Sequence, residues 1–146
     1  MIPWQNIKYF DQADFDDPLH PGSGDLMDPE FLILVVRMRV DLGWPLIPHA
    51  KVGGCVDVDG VHGHAANSLH LVKMGCKAID FHLVTAASAR RQYYEVARFG
   101  FSGLGAYFDW HWNGKLLPVG FHIDLRPKDQ AQRWTRKNGE YFYLLQ

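Results

Sequence analysis

Cysteine is scarce in this sequence, with two residues in 146, Cys55 and Cys76. Two thiols do not make a disulfide framework in a chain of this length, so both are expected reduced and partly buried. An excess of charge of either sign is also lacking: 15 Lys and Arg face 16 Asp and Glu, for a net charge of −1 and a pI near 6.7. No basic field gathers phosphate backbones or anionic lipids, which excludes nucleic acid and membrane surfaces as expected partners. No apolar run reaches the roughly 18 residues of a membrane span. The opening "MIPWQNIKYFDQADFDDPLHPGSGD" has no charged segment leading into an apolar one, so the expectation is a soluble chain synthesised in the cytoplasm without its own export signal. G-x-S-x-G and glycine-rich phosphate loops are absent, and neither cysteine has the spacing of a thiolate zinc site.

What is present is apolar and rich in histidine. With 47% hydrophobic and 14% aromatic residues the chain can bury a core, and a single domain over residues 1–146 is expected. Residues 11–28, rich in Asp, Pro and Gly, read as irregular surface chain, and residues 1–27 are set apart as the irregular N-terminal segment of the domain. Asp28, Pro29 and Glu30 form a helix start, Phe31, Leu34, Val35, Met38 and Leu42 follow at helical spacing, and Gly43 and Pro45 end the helix. A strand is predicted at about 45–49, then a long loop, a second helix at roughly 86–98 capped by Thr85 or Ser88, and a turn at Asn113-Gly114. Six of the eight histidines, His49, His62, His64, His70, His82 and His111, crowd the middle of the chain.

Alternate residues of a strand share a face. "AIDFHL" sends Ile79, Phe81 and Leu83 one way and Ala78, Asp80 and His82 the other, and "FHIDLR" sends Phe121, Ile123 and Leu125 to the core and His122, Asp124 and Arg126 to the opposite face. If these segments pair in one sheet, Asp80 and His122 come within reach, and His70 returns to Asp80 through the bend at Gly75. Two imidazole nitrogens and one carboxylate oxygen suit a catalytic Zn²⁺, with a fourth position for a water whose pKa falls to about 7. The alternative reading leaves these side chains solvated on the outer face of a half-buried sheet.

Ser68, His70, Gly75, Ala78 and Asp80 stand in the order of a motif S-x-H-x-x-G-x-A-x-D, and "GFHIDLRP" matches a strand motif G-F-H-x-D-x-R with "GLGAYFDW" nearby. On these motifs the chain resembles the zinc D-Ala-D-Ala peptidase family of the hedgehog/DD-peptidase fold, which includes bacterial carboxypeptidases, vancomycin-resistance dipeptidases and phage endolysins. The likeness spans about residues 28–146: the leading helix with "DLGWPLI" is similar to that family's opening helix and first strand, and "RWTRKNGEYFYLL" to the closing segment of its phage-type members. The resemblance implies a zinc metallopeptidase hydrolysing peptide bonds in peptidoglycan stems or cross-links, with His70, Asp80 and His122 as ligands. It implies action on the cell wall after release, or as a virion component. The expected architecture is α+β, hedgehog/DD-peptidase-like, with helices packed on one face of a mainly antiparallel sheet, and a monomer. The opposing readings are a zinc-bearing binding module without catalysis and a phage structural domain.

The chain departs from the family pattern in three places. The His70–Asp80 spacing is three residues longer, a bend that can still return both ligands. "PHAKVGG" has no Arg where the family carries S-G-x-R, and Lys51 substitutes without the planar fork. Pro118, Val119 and Gly120 occupy the place of an acidic general base. Asp124 is then the first candidate for the base or for a residue orienting His122, and Asp109 the second. Substrate contacts are expected from Lys51, Ser68, Trp110 and Arg126. His82 is expected to support a ligand, His62 and His64 to stand on the rim, and Trp112 and Trp134 to pack, with Trp112 an alternative cleft wall. "DVDGVHG" lacks the third acidic position and the terminal Glu of a calcium loop.

Overall fold

The computed structural model describes residues 1–144; the last two positions of the expected domain, Leu145 and Gln146, lie outside the described residues. The first helix forms where its caps demand it. The Asp28 carboxylate accepts from Phe31 N–H at 2.9 Å, α1 runs over Pro29–Leu42, and Gly43 ends it at φ +69°. Its inner face buries Phe31, Leu32, Val35 and Met38. The second helix, α2, covers Ala89–Ala97, shorter than expected, because Ser88 rather than Thr85 supplies the cap.

The strands are β1 (Leu46–Pro48), β2 (Ala78–Leu83), β3 (Gly103–Tyr107), β4 (His111–Trp112), β5 (Lys115–Leu116), β6 (Gly120–Asp124), β7 (Gln132–Lys137) and β8 (Glu140–Leu144). Six form one sheet in the order β1-β2-β6-β3-β7-β8, antiparallel throughout except for β3 beside β7, while β4 and β5 make a separate hairpin. This is an α+β fold with a mainly antiparallel sheet. Ile79, Phe81, Phe121 and Ile123 share one buried cluster with the inner residues of α1 and with Val96 of α2, as strand alternation predicts. None of the described helices is long and apolar enough to cross a membrane.

Two expectations need correction. The N-terminal segment is irregular, with only short 3₁₀ turns, yet it is not surface chain: Phe10, Phe15 and Met27 join the core and Phe15 is fully buried. The second is the start of the second helix, at Ala89 and not near residue 86. Beyond the segments at 45–49, 78–83 and 120–125, the structure adds β3, β7 and β8 to the sheet. Glycines at 103 and 105 weaken the strand signal of β3. β7 and β8 meet at Asn138-Gly139, whose φ values of +51° and +78° match those of +51° and +77° at the predicted Asn113-Gly114 turn. Positive φ at both central residues is the type I′ requirement.

Those glycines have a purpose on the polar face of the sheet. A Cβ on Gly103 would strike the Asp124 carboxylate, one on Gly120 would strike the Trp110 ring, and one on Gly105 would lie 2.5 Å from the Trp134 indole. Each bare backbone makes room for a side chain folded across it. Gly105→Ala is therefore expected to displace the buried Trp134 and to cost about 1–3 kcal/mol of stability, measured by chemical denaturation alongside the shift in tryptophan emission.

Candidate metal centre

The register of the two polar strands sets the site. Asp80 of β2 pairs directly with His122 of β6, placing both side chains on the face opposite the core. His70 arrives from the preceding loop. The extra residues between it and Asp80 are taken up by a 3₁₀ turn at Val72–Met74, closed by Gly75 at φ +97° and Cys76 at φ +51°. His70 Nε2 lies 3.4 Å, and His122 Nδ1 2.9 Å, from the same oxygen of Asp80, Oδ1. His70 is almost fully buried, while Asp80 and His122 keep a small exposed edge in a cleft of about 590 Å³.

The far side of each ring fixes its proton. His70 Nδ1 is 2.9 Å from the Cys55 carbonyl, which can only accept, so Nδ1 carries the hydrogen and Nε2 its lone pair. His122 Nε2 is 2.7 Å from Asp124 Oδ2 and donates to it, leaving the Nδ1 lone pair toward Asp80. Two lone pairs and a carboxylate oxygen thus face one another. The arrangement requires a cation among them, either a proton or a metal ion, and this donor set fits a divalent metal. Burial alone would raise the Asp80 pKa, but its two histidine neighbours hold it well below the usual carboxylate range. Burial alone would lower that of His122, but its bonds to Asp124 and Asp80 push it up to about 9.

Asp124 is placed as the orienting residue. Its Oδ1 accepts from the Arg126 backbone N–H at 3.1 Å and from Nε at 2.9 Å, and its Oδ2 from Arg126 Nη2 and His122 Nε2, both at 2.7 Å. All four acceptor positions are filled, on the side of His122 away from Asp80, so the expectation of a general base is corrected for this residue. Asp109 is drawn elsewhere. Its Oδ2 accepts from Gly139 N–H at 2.7 Å and pairs with Arg136 at 3.2 Å, tying the β7–β8 turn to the loop after β3. It lies outside the lining of the main cleft, in a side pocket with Asp80 and His64.

Trp110 and Ser68 line the cleft as expected, with Trp110 stacked on Tyr107 at 4.1 Å and Ser68 Oγ accepting from His70 N–H. Arg126 lines it too, with its fork committed to Asp124. Lys51 does not line it: its Nζ sits over the Trp112 ring and bonds Asn113, holding the β4–β5 hairpin. His82 bonds to His49 at 2.8 Å instead of to a ligand, and His49 stacks on Trp112 at 4.4 Å. Burial lowers the His49 pKa to about 4, so this pair is neutral at pH 7.

Sequence reasoning missed His49 and took His64 for a rim residue, while Trp134, expected to pack, is buried and also lines the cleft. The His64 ring lies 4.0 Å from that of His70, nearly parallel to it, and its Nε2 donates to the Gly53 carbonyl at 2.8 Å. Nδ1 therefore bears the lone pair. Burial, with His70 adding to it, lowers the His64 pKa. The other His–Asp group, Asp17, Asp57 and His62, is a loop clamp. Its carboxylates accept backbone N–H groups from Leu19, Val58, Gly60 and Val61, and His62 bonds Asp17.

Comparison with protein-family models, with curated proteins and with solved structures gives no match.

The metal-free chain should lose stability with rising pH. The folded pKa of His122, about 9, lies above the ordinary 6.5, so its contribution is complete below about pH 6.5 and is lost as the pH passes 9. One equivalent of Zn²⁺ is expected to reverse that loss, because metal replaces the proton. Asp80→Asn is expected to weaken the metal at least about tenfold. Denaturation midpoints from pH 6 to 10, with and without zinc, and calorimetric titration check both.

Proposed function

We propose that this chain is a zinc-dependent peptidase of the hedgehog/DD-peptidase type, hydrolysing peptide bonds in the stems or cross-links of peptidoglycan. The observation that carries the proposal is the convergence of His70 Nε2, His122 Nδ1 and Asp80 Oδ1 at the floor of an open cleft, with each imidazole fixed from behind. Two histidines and one carboxylate are the donor set of a hydrolytic zinc site. When bound, zinc would supply Lewis acidity, lowering the pKa of a water molecule and polarising the scissile carbonyl. The choice of a peptidoglycan peptide rests on the resemblance of the two ligand-bearing motifs to the zinc D-Ala-D-Ala peptidases.

The chain's own residues supply the rest. Cys55 and the Asp124–Arg126 pair orient the two imidazoles, so little reorganisation is needed when a substrate enters. His64 lines the cleft beside His70, and its Nδ1 accepts the proton from the attacking water. The same nitrogen returns that proton to the leaving amine as the carbon–nitrogen bond breaks. Trp110 and Tyr107, stacked on each other, wall the cleft.

Zinc-loaded protein is expected to release cleaved stems from purified muropeptides, and chelation or His122→Ala to abolish the release, read by mass spectrometry. A wild type that cuts neither cross-linked nor uncross-linked stems, and behaves as His122→Ala does, defeats the peptidase reading. His64→Ala is expected to lower kcat by about 10²–10⁴-fold with zinc content unchanged. A larger loss from Asp109→Asn than from His64→Ala would transfer the base to Asp109.

A further inference from the structure

Beyond the metal ligands the polar face of the sheet continues as an aromatic field. One rung across the strands reads Asp80, His122, Gly105, Trp134, Tyr143, and the next reads Gly120, Tyr107, Arg136, Tyr141. The outer ends of these rungs bound a groove of about 270 Å³ lined by Tyr107, Arg126, Gln132, Trp134, Tyr141 and Tyr143. Four of the six, Tyr107, Arg126, Trp134 and Tyr141, also line the metal cleft, so the two are continuous. Three strand spacings separate His122 from Tyr143, roughly 14 Å.

The chemistry of the groove selects its occupant. Tyr141 and Tyr143 are 49% and 62% exposed, with rings parallel within 13° and centroids 6.3 Å apart. Trp134 is held in place by its indole N–H donating to the Tyr107 hydroxyl at 2.9 Å. Both arginines that face these rings are already neutralised, Arg126 by Asp124 at 2.7 Å and Arg136 by Asp109 at 3.2 Å. The groove therefore presents aromatic faces edged by phenol hydroxyls and the Gln132 carboxamide, without net charge. Apolar faces with a hydroxyl edge are the surface of a pyranose ring, and a neutral surround favours a neutral sugar over a phosphate or a carboxylate.

We propose that this groove is a subsite for a neutral pyranose saccharide, which holds the glycan end of a glycan-linked substrate while the attached peptide reaches the metal cleft. The naming of peptidoglycan as the source of the sugar and the coupling to the metal cleft rest on the peptidase reading, whereas the saccharide groove itself does not. Chitotetraose, a neutral tetramer of N-acetylglucosamine, is the probe, titrated calorimetrically against the full chain with and without zinc. Saturable binding is expected in both states, weakened about tenfold by Tyr143→Ala and restored by Tyr143→Trp. On the zinc-loaded chain, Tyr143→Ala is expected to lower the ratio of kcat/KM for disaccharide-linked stem to that for free stem by about the same factor.

Failure of chitotetraose to saturate, or equal affinity in the wild type, Tyr141→Ala and Tyr143→Ala, overturns the subsite. Tyr143-dependent binding without a change in the kcat/KM ratio overturns its coupling to the cleft. If no stem is cleaved yet chitotetraose binds through Tyr143, the peptidase reading fails and the saccharide groove stands.

Discussion

The Asp80 carboxylate begins a sheet rung, with the lone pairs of two imidazoles aimed at one of its oxygens. Such a cluster repels itself until a cation joins it, and the surrounding residues are arranged so that only the centre can supply that cation's place. The Cys55 carbonyl holds the hydrogen of His70 on the outer nitrogen, and Asp124 does the same for His122. Asp124 is itself balanced by Arg126. Negative charge is thus compensated at the periphery and left open at one point, and this is why a carboxylate so near the three converging donors is better suited to orienting His122 than to taking a proton.

The two faces of the sheet divide the labour. One is apolar and buried under the helices, where alternation puts Ile79, Phe81, Phe121 and Ile123. The other must hold large side chains close to a flat backbone, which L-residues with a Cβ at every position would obstruct. Gly103, Gly105 and Gly120 remove that obstruction at the points where Asp124, Trp134 and Trp110 cross the strands. The loss of strand propensity at these positions is offset by the packing of the side chains laid over them.

The central rung was legible in the sequence because period-two alternation needs nothing beyond the residues themselves: "AIDFHL" and "FHIDLR" declare their polar faces, and the structure pairs Asp80 with His122. The first helix was legible for a similar reason, its cap, proline and apolar stripe all being local. His49, His64 and the cleft-lining place of Trp134 were not. His49 and His64 sit in loops without periodicity, and their positions follow from contacts with His82 and His70, set by the path of the loop. Trp134 lies on a strand whose partner, β3, is disguised by its own glycines. Lys51 was misplaced because it stands in the stretch where the resembled family carries a substrate-holding Arg. The structure satisfies it with the Trp112 ring and Asn113.

Among the described residues, every charged group that lines the cleft is answered within the protein or by the cation that the centre calls for. Asp80 faces the two histidines, Asp124 is shared between His122 and Arg126, and Arg126 has its fork on Asp124. A ligand entering here meets aromatic walls from Trp110, Tyr107 and Trp134 and the polar edges of Ser68, Asn67 and Gln130. On the proposed reading, discrimination comes from shape, stacking and neutral hydrogen bonds, and the attraction of a charged terminus plays a small part. On the proposed reading the cleft accommodates the interior of a polymer more readily than its ionised end, because the interior brings amides and hydroxyls that these walls can satisfy, whereas away from the metal site a terminal carboxylate would be desolvated against aromatic rings without an unpaired cation among the described lining residues to receive it.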